Sequence, residues 1–234
     1  MTMGGREVKL ARHGFARKQE WKLEEQSDNM VALSLSSADH AELLEQYPYP
    51  FKIVARYTID LEKVAVSYEV TNEGTEDMPF FVGGHPGFKC PLDEGESYDD
   101  YELRFEQREA AELCTAVPST GLIDVEHRSK NPMIGQNLPL THELFDFAET
   151  IFDVLESRVV TLTKKTEDKG VRLTFPDMPY LIVWSKPEGD FVAVEPWGRL
   201  STCSDEDDIL EHKRGCLVAK PGETVTRGFE IEIL

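Results

Sequence analysis

Apolar and polar residues alternate along much of this chain with a period of two, the spacing of a strand that buries one face. The pattern is clearest between Phe51 and Thr71. Ile53, Ala55, Tyr57 and Ile59 alternate with polar partners as far as Asp60, and Val64, Val66, Tyr68 and Val70 resume the alternation. It predicts a β-hairpin turning near Leu61 to Lys63. Further strands are expected at Val31 to Leu35, Pro79 to Gly83, Tyr101 to Glu106, Val159 to Thr163, Val171 to Phe175, Tyr180 to Trp184, Phe191 to Val194, Leu217 to Ala219 and Thr224 to Ile233. Turn formers such as Asn72-Glu73-Gly74 and Pro187-Glu188-Gly189 separate them. Only Ala38 to Gln46 and His142 to Phe147 read as helical, and both are short. Many short strands with few helices predict an all-β fold, a sandwich or a barrel. No linker rich in Gly, Pro or Ser and no internal repeat interrupts the 234 residues, so a single domain over residues 1–234 is expected.

Charge narrows the partners. The chain has 25 Lys plus Arg against 44 Asp plus Glu, a net charge of -19. A uniformly negative field repels nucleic acid and anionic membranes, so neither is an expected partner. The acidic stretches Asp93 to Asp100 and Ser204 to Asp208 read as solvated loops. Cys90, Cys114, Cys203 and Cys216 are scattered, without the C-x-x-C spacing of a zinc site or redox pair, and read as reduced thiols. No apolar run approaches the length of a membrane span, and the N-terminus lacks a charged-then-apolar signal pattern. A cytoplasmic location follows as the expectation.

Two ionisable residues sit where a buried strand is expected to end. His85 follows the run Phe80 to Gly84 and precedes Pro86, and Glu195 follows Phe191 to Val194 and precedes Pro196. A proline disfavours helical geometry in the residue before it, so both side chains are held on extended backbone. The run Phe191 to Val194 is apolar on both faces, as in a central strand. Glu195 continues the face of Phe191 and Ala193, which points its carboxylate toward the interior or a cleft at its edge. Burying an unpaired charge costs several kcal/mol, so such an acid must be paired, protonated or solvated in a pocket. A strand-end Glu bonded to a neighbouring loop satisfies the same pattern. His13 lies in His13-Gly14-Phe15-Ala16-Arg17, which alone is an ordinary polar loop, and His40, His127, His142 and His212 read as surface residues.

Taken together, His13 to Arg17 (HGFAR), Gly83 to Phe88 (GGHPGF) and Val194 to Trp197 (VEPW) resemble signature segments of the galactose-mutarotase-like superfamily, in its branch of LacX-type aldose 1-epimerases. Leu217 to Glu223 resembles that family's closing hairpin, and the 72 residues separating His13 from His85 resemble the spacing of its two active-site histidines. The resemblance implies a large antiparallel β-sandwich and cofactor-free isomerase chemistry. It makes His85 the general acid, Glu195 the general base, and His13 a second active-site histidine that hydrogen-bonds the sugar, with Arg17 beside it. It also implies an acidic residue that holds sugar hydroxyls, on Glu149 with Asp146 competing. Trp197 and Trp184 are candidates to pack on the sugar's apolar face, although strand tryptophans are more often core. Only 12 residues precede His13, fewer than the family has before this segment, so either the start is truncated or the fold closes without the family's first strands. An exposed sheet edge of that kind invites association, leaving monomer or homodimer open.

Anomer interconversion needs one base to take the proton of the C1 hydroxyl and one acid to protonate the ring oxygen. No metal or other cofactor is required. The implied substrate is a hexose such as galactose or glucose. Three alternatives stay open: a hexose-6-phosphate 1-epimerase, since HGFAR is shared with that group; a non-catalytic carbohydrate-binding protein on the same fold; and a metal site built from His13, His85 and Glu195.

Overall fold

The computed structural model describes residues 1–234 except Lys9 and Arg12. It divides into two compact units, Met1–Val82 with Glu206–Gly228, and Gly83–Asp205 with Phe229–Leu234.

In the first unit, β1 (Thr2–Met3) and β2 (Arg6–Glu7) form a small hairpin. A larger antiparallel sheet follows from β3 (Lys22–Gln26), β4 (Met30–Ser36), β5 (Phe51–Asp60) and β6 (Lys63–Asn72), paired in that order. The β5–β6 hairpin is the one expected, in register from Phe51↔Asn72 to Asp60↔Lys63. Its turn is Leu61-Glu62, with Leu61 in the left-handed region at φ 54. One face of this sheet carries Leu35, Phe51 and Val70 into a core with Leu43, Tyr47, Tyr49, Met78 and Phe80. The short β7 (Met78–Phe80) closes that core. The opposite face carries ion pairs, Lys52 to Glu24 at 2.6 Å and Arg56 to Glu69 at 3.0 Å. Such exposed pairs contribute little to stability. Of the two expected helices, 3-10 turns form at Ala41–Glu45 and His142–Phe145.

The second unit is a sandwich. One layer is a six-stranded sheet built from β8 (Gly87–Lys89), β10 (Leu113–Val117), β11 (Leu122–Ser129), β13 (Thr150–Phe152), β16 (Tyr180–Trp184) and β17 (Phe191–Trp197), in the order β11-β10-β13-β16-β17-β8. The other layer runs β12-β9-β14-β15, from Asn137–Pro139, Tyr101–Phe105, Val159–Lys164 and Gly170–Thr174 respectively. Period-two alternation assigns the faces. Leu103, Phe105, Val160, Leu162 and Leu173 point from one layer, and Phe152, Leu181, Val183, Val192 and Val194 from the other; all are buried. The Phe105 and Phe152 rings meet across the layers at 5.0 Å. Phe152 is fully buried. Phe152→Ala is therefore expected to destabilise the protein by about 3–5 kcal/mol, the cost of the lost burial plus an unfilled cavity, as measured by chemical denaturation.

The chain then returns to the first unit through β18 (Leu217–Ala219), which pairs with β7, and β19 (Thr224–Ile233). The first residues of β19 lie beside β6, and Glu230 to Ile233 pair with Val171 to Thr174 of β15. The named strands pair antiparallel among the described residues, and the fold is all-β as the alternation predicts, in the sandwich form that the resemblance implies.

The acidic loops are less free than their composition suggests. Ser97 and Asp100 form a capping box on the 3-10 turn Tyr98–Asp100, and Glu96 and Asp93 pair with Lys164 and Lys169 at 2.6 and 2.7 Å. In the other stretch, Asp207 accepts from His212 at 2.8 Å. His142 stacks on Tyr98 with ring centroids 4.3 Å apart, instead of lying free on the surface. Among the described residues, no helix is long and apolar enough to cross a membrane.

Candidate active site

The outer face of the six-stranded sheet brings together His85 and Glu195, the two ionisable residues singled out in the sequence. Strand β17 does not stop at Val194, as expected from the sequence, but continues through Glu195 and Pro196 to Trp197. Glu195 is thus an interior strand residue, opposite Ile182 of β16. A proline inside a strand loses one ladder bond, which is why the apolar pattern misplaces this end.

On its other side β17 meets Gly83 to Lys89. The register runs from Phe191↔Lys89 through Ala193↔Gly87 to the bridge Gly83↔Trp197, so His85 stands opposite Glu195. Gly84 N–H donates to Pro196 O at 2.8 Å, and Val194 N–H donates to Pro86 O at 3.1 Å. The reciprocal bonds are missing because Pro196 and Pro86 have no N–H. Between these two bonded pairs, His85 and Glu195 form a non-hydrogen-bonded pair, the position where facing side chains approach most closely, with Cα atoms about 4.5 Å apart in regular ladders. The two glycines are required by space. A Cβ on Gly83 would stand 3.1 Å from the Trp197 Cα, and one on Gly84 would stand 2.4 Å from the Phe229 ring.

The resulting pair joins His85 Nδ1 to Glu195 Oε1 at 3.3 Å, with the His85 side chain 54% exposed and the Glu195 side chain 3% exposed. Burial pushes the Glu195 carboxyl up to about 7, the Trp197 indole hydrogen bond opposes that rise, and the negative charge of Glu149 adds to it. An open imidazole against a buried carboxyl that titrates near neutrality is equipped for general acid–base chemistry.

One family model, aldose 1-epimerase, matches residues 4–231. The chain belongs to the aldose 1-epimerase family. That family places it among the isomerases that epimerise aldoses. It is 40% identical over 227 residues to protein LacX, in plasmid and chromosomal forms, of Lactococcus lactis subsp. lactis, spanning 96% of this chain and 75% of the relative. The galactose mutarotase related enzyme of Lactobacillus acidophilus is 28% identical with a TM-score of 0.87, covering 100% of this chain and 77% of that one. A galactose mutarotase-like protein of Lactobacillus casei ATCC 334 is 27% identical with a TM-score of 0.86, covering 100% and 79%.

In this aldose 1-epimerase family member, Glu149 lies just before β13, two residues from Ile151, whose partner Ile182 is also the partner of Glu195. Period two therefore puts Glu149 on the Glu195 face, and its charge acts on Glu195. The competing Asp146 is exposed at the end of the turn His142–Phe145. Trp197 shares the face of Glu195, and its Nε1–H donates to Glu195 Oε2 at 3.0 Å. The sequence offers Trp197 as a candidate to pack on the sugar and does not show this bond, although the i, i+2 spacing from Glu195 is the available signal. Trp184 and Phe191 stack edge to face at 5.6 Å, both half-buried on the same face.

His13 and Arg17 belong to the first unit. His13 is exposed in a turn and Arg17 is exposed in the 3-10 turn Ala16–Lys18. Between them Gly14 takes φ 63, and Phe15 anchors the segment by packing on Phe51 at 5.4 Å and Tyr47 at 5.9 Å. Among the described residues no group of three or more His, Cys, Asp and Glu side chains could hold a metal ion.

Proposed function

We propose that this protein is a mutarotase that interconverts the α and β anomers of an unphosphorylated hexose such as galactose or glucose. The observation that carries the reading is the facing pair, exposed His85 at 3.3 Å from buried Glu195. Glu195 accepts the proton of the C1 hydroxyl while His85 protonates the ring oxygen. The C1–O5 bond breaks, giving the open-chain aldehyde. Rotation about C1–C2 presents the other carbonyl face, and the two groups reverse roles to close the ring, so protons balance over the cycle. Each transfer is worth about 10²–10⁴-fold. Glu149 holds sugar hydroxyls in this scheme, and the half-buried Trp184 offers an apolar face.

The preference for unphosphorylated sugar rests on the basic residues near the pair. Lys89 Nζ donates to Leu92 O at 3.2 Å, and Arg199 Nε donates to Leu200 O. A phosphate pocket is normally a cluster of such groups turned to the ligand. We further propose that the chain works as one domain, a reading supported by a single family model spanning it, and that it acts in the cytoplasm, a reading supported by cysteines scattered without C-x-x-C spacing.

The test is two-dimensional NMR exchange on glucose, galactose and their 6-phosphates. Catalysed exchange of a free hexose supports the reading. Tenfold or greater preference for a 6-phosphate, fading as salt rises, overturns the substrate choice, and sugar binding without exchange overturns the catalytic one.

A further inference from the structure

We infer that Trp197 is a positioning residue whose indole N–H fixes the Glu195 carboxylate, reserving Oε1 as the proton-accepting oxygen and leaving Nε2 of His85 as the nitrogen that faces the sugar. The inference rests on the mutarotase reading above and deepens it to single atoms.

The geometry divides the carboxylate between two neighbours. Oε2 accepts from Trp197 Nε1 at 3.0 Å, while Oε1 lies 3.3 Å from His85 Nδ1. Trp197 sits two residues along the same strand, so its ring and the carboxylate leave the sheet on one face. The ring is held from below, since Trp197 packs against the buried cluster of Cys114, Ile123, Ile151, Ile182, Leu200 and Cys203. A carboxylate with one oxygen tied has lost its rotational freedom, so Oε1 points one way and keeps a second lone pair beyond its contact with His85 Nδ1. His85 Nδ1 is directed at that oxygen, so its exposed edge presents Nε2.

The bond also favours the ionised base. The groups facing Glu195 are His85 from the opposing segment, Glu149 at the entrance to β13, and Trp197 on its own strand, while β16 presents Ile182 opposite it and Tyr180 opposite Trp197. Burial and Glu149 both favour the protonated carboxyl, and the indole N–H is the opposing influence. A hydrogen bond to a charged group is worth roughly tenfold or more in such an equilibrium.

Two replacements isolate the N–H. Trp197→Phe keeps an aromatic face, and β-(3-benzothienyl)alanine introduced at position 197 alone keeps the whole ring shape with sulfur in place of N–H. Glu195 titration is followed by ¹³C-carboxyl NMR in ligand-free protein, and kcat, KM and their pH profiles are measured for glucose and galactose. In both variants the titration midpoint and the acidic limb of kcat/KM are expected to rise by about one pH unit, with KM within about twofold and neutral-pH kcat falling about tenfold. An unmoved midpoint in the benzothienyl variant overturns the inference, as does a rise in KM with the acidic limb unmoved, which would make Trp197 a sugar platform. Wild-type protein that exchanges no hexose anomers overturns the mutarotase reading instead, and the ligand-free titration still decides whether Trp197 holds the carboxylate.

Discussion

Glu195→Gln is expected to abolish mutarotation, lowering kcat by at least about 10²-fold, while the protein folds and gains stability at alkaline pH. The amide keeps the shape of the side chain and can still accept from Trp197, but it cannot take a proton. The lower bound is that of a general base. The stability change follows from the raised carboxyl, whose ordinary value of 4.5 goes to about 7 in the fold. A folded-state value above the unfolded one means that the folded protein binds the proton more tightly. Its contribution is complete below about pH 4.5 and is lost as pH rises through about 7, costing about 3 kcal/mol once the buried group is ionised. The neutral amide escapes that loss. Wild type and variant should therefore melt together near pH 4.5, and the variant should melt higher at pH 8. The wild-type kcat/KM should fall as pH drops through about 7, because the base is then protonated. Turnover within about threefold of wild type would reassign Glu195 to structure.

What the sequence disclosed and concealed follows from how many residues carry each signal. The β5–β6 hairpin was legible because ten residues per strand repeat one period, and Tyr180–Trp184 and Thr224–Ile233 were legible for the same reason. Strands β8, β12 and β13 have three residues each, too few to show a period, and β3 is exposed throughout, so no apolar face marks it. In the site, His85 and Glu195 were visible as ionisable residues beside apolar runs. Their pairing was not, because it depends on the register between segments more than a hundred residues apart. The prolines after His85 and Glu195 restrain the backbone before them, but their thinning of the ladder on either side of the pair needs the partner strand.

That register makes Gly84→Ala the second large effect, at a residue with no side chain of its own. The added Cβ would lie 2.4 Å from Cε1 of Phe229, with two more ring atoms at 3.0 and 3.1 Å. Phe229 is itself buried, so its ring has little room to yield. The Gly83 to Lys89 segment must then lift from β17, stretching the Gly84 N–H bond to Pro196 O and carrying His85 away from Glu195. Overpacking of this kind costs roughly 1–3 kcal/mol, which a protein of ordinary stability survives folded. Activity should suffer more, since displacement of a catalytic group by about 1 Å can cost about 10²-fold. The expected result is a folded variant with kcat down about 10²-fold and the Trp197 bond to Glu195 still in place. Phe229→Leu opens space beside the new methyl. The double variant Gly84→Ala, Phe229→Leu should recover at least about tenfold of the lost kcat, a non-additivity that neighbours in contact show and distant sites do not. Equal kcat in the single and double variants would mean that the Phe229 contact does not set the place of His85, and near-wild-type activity of Gly84→Ala would mean that the segment absorbs a methyl without moving.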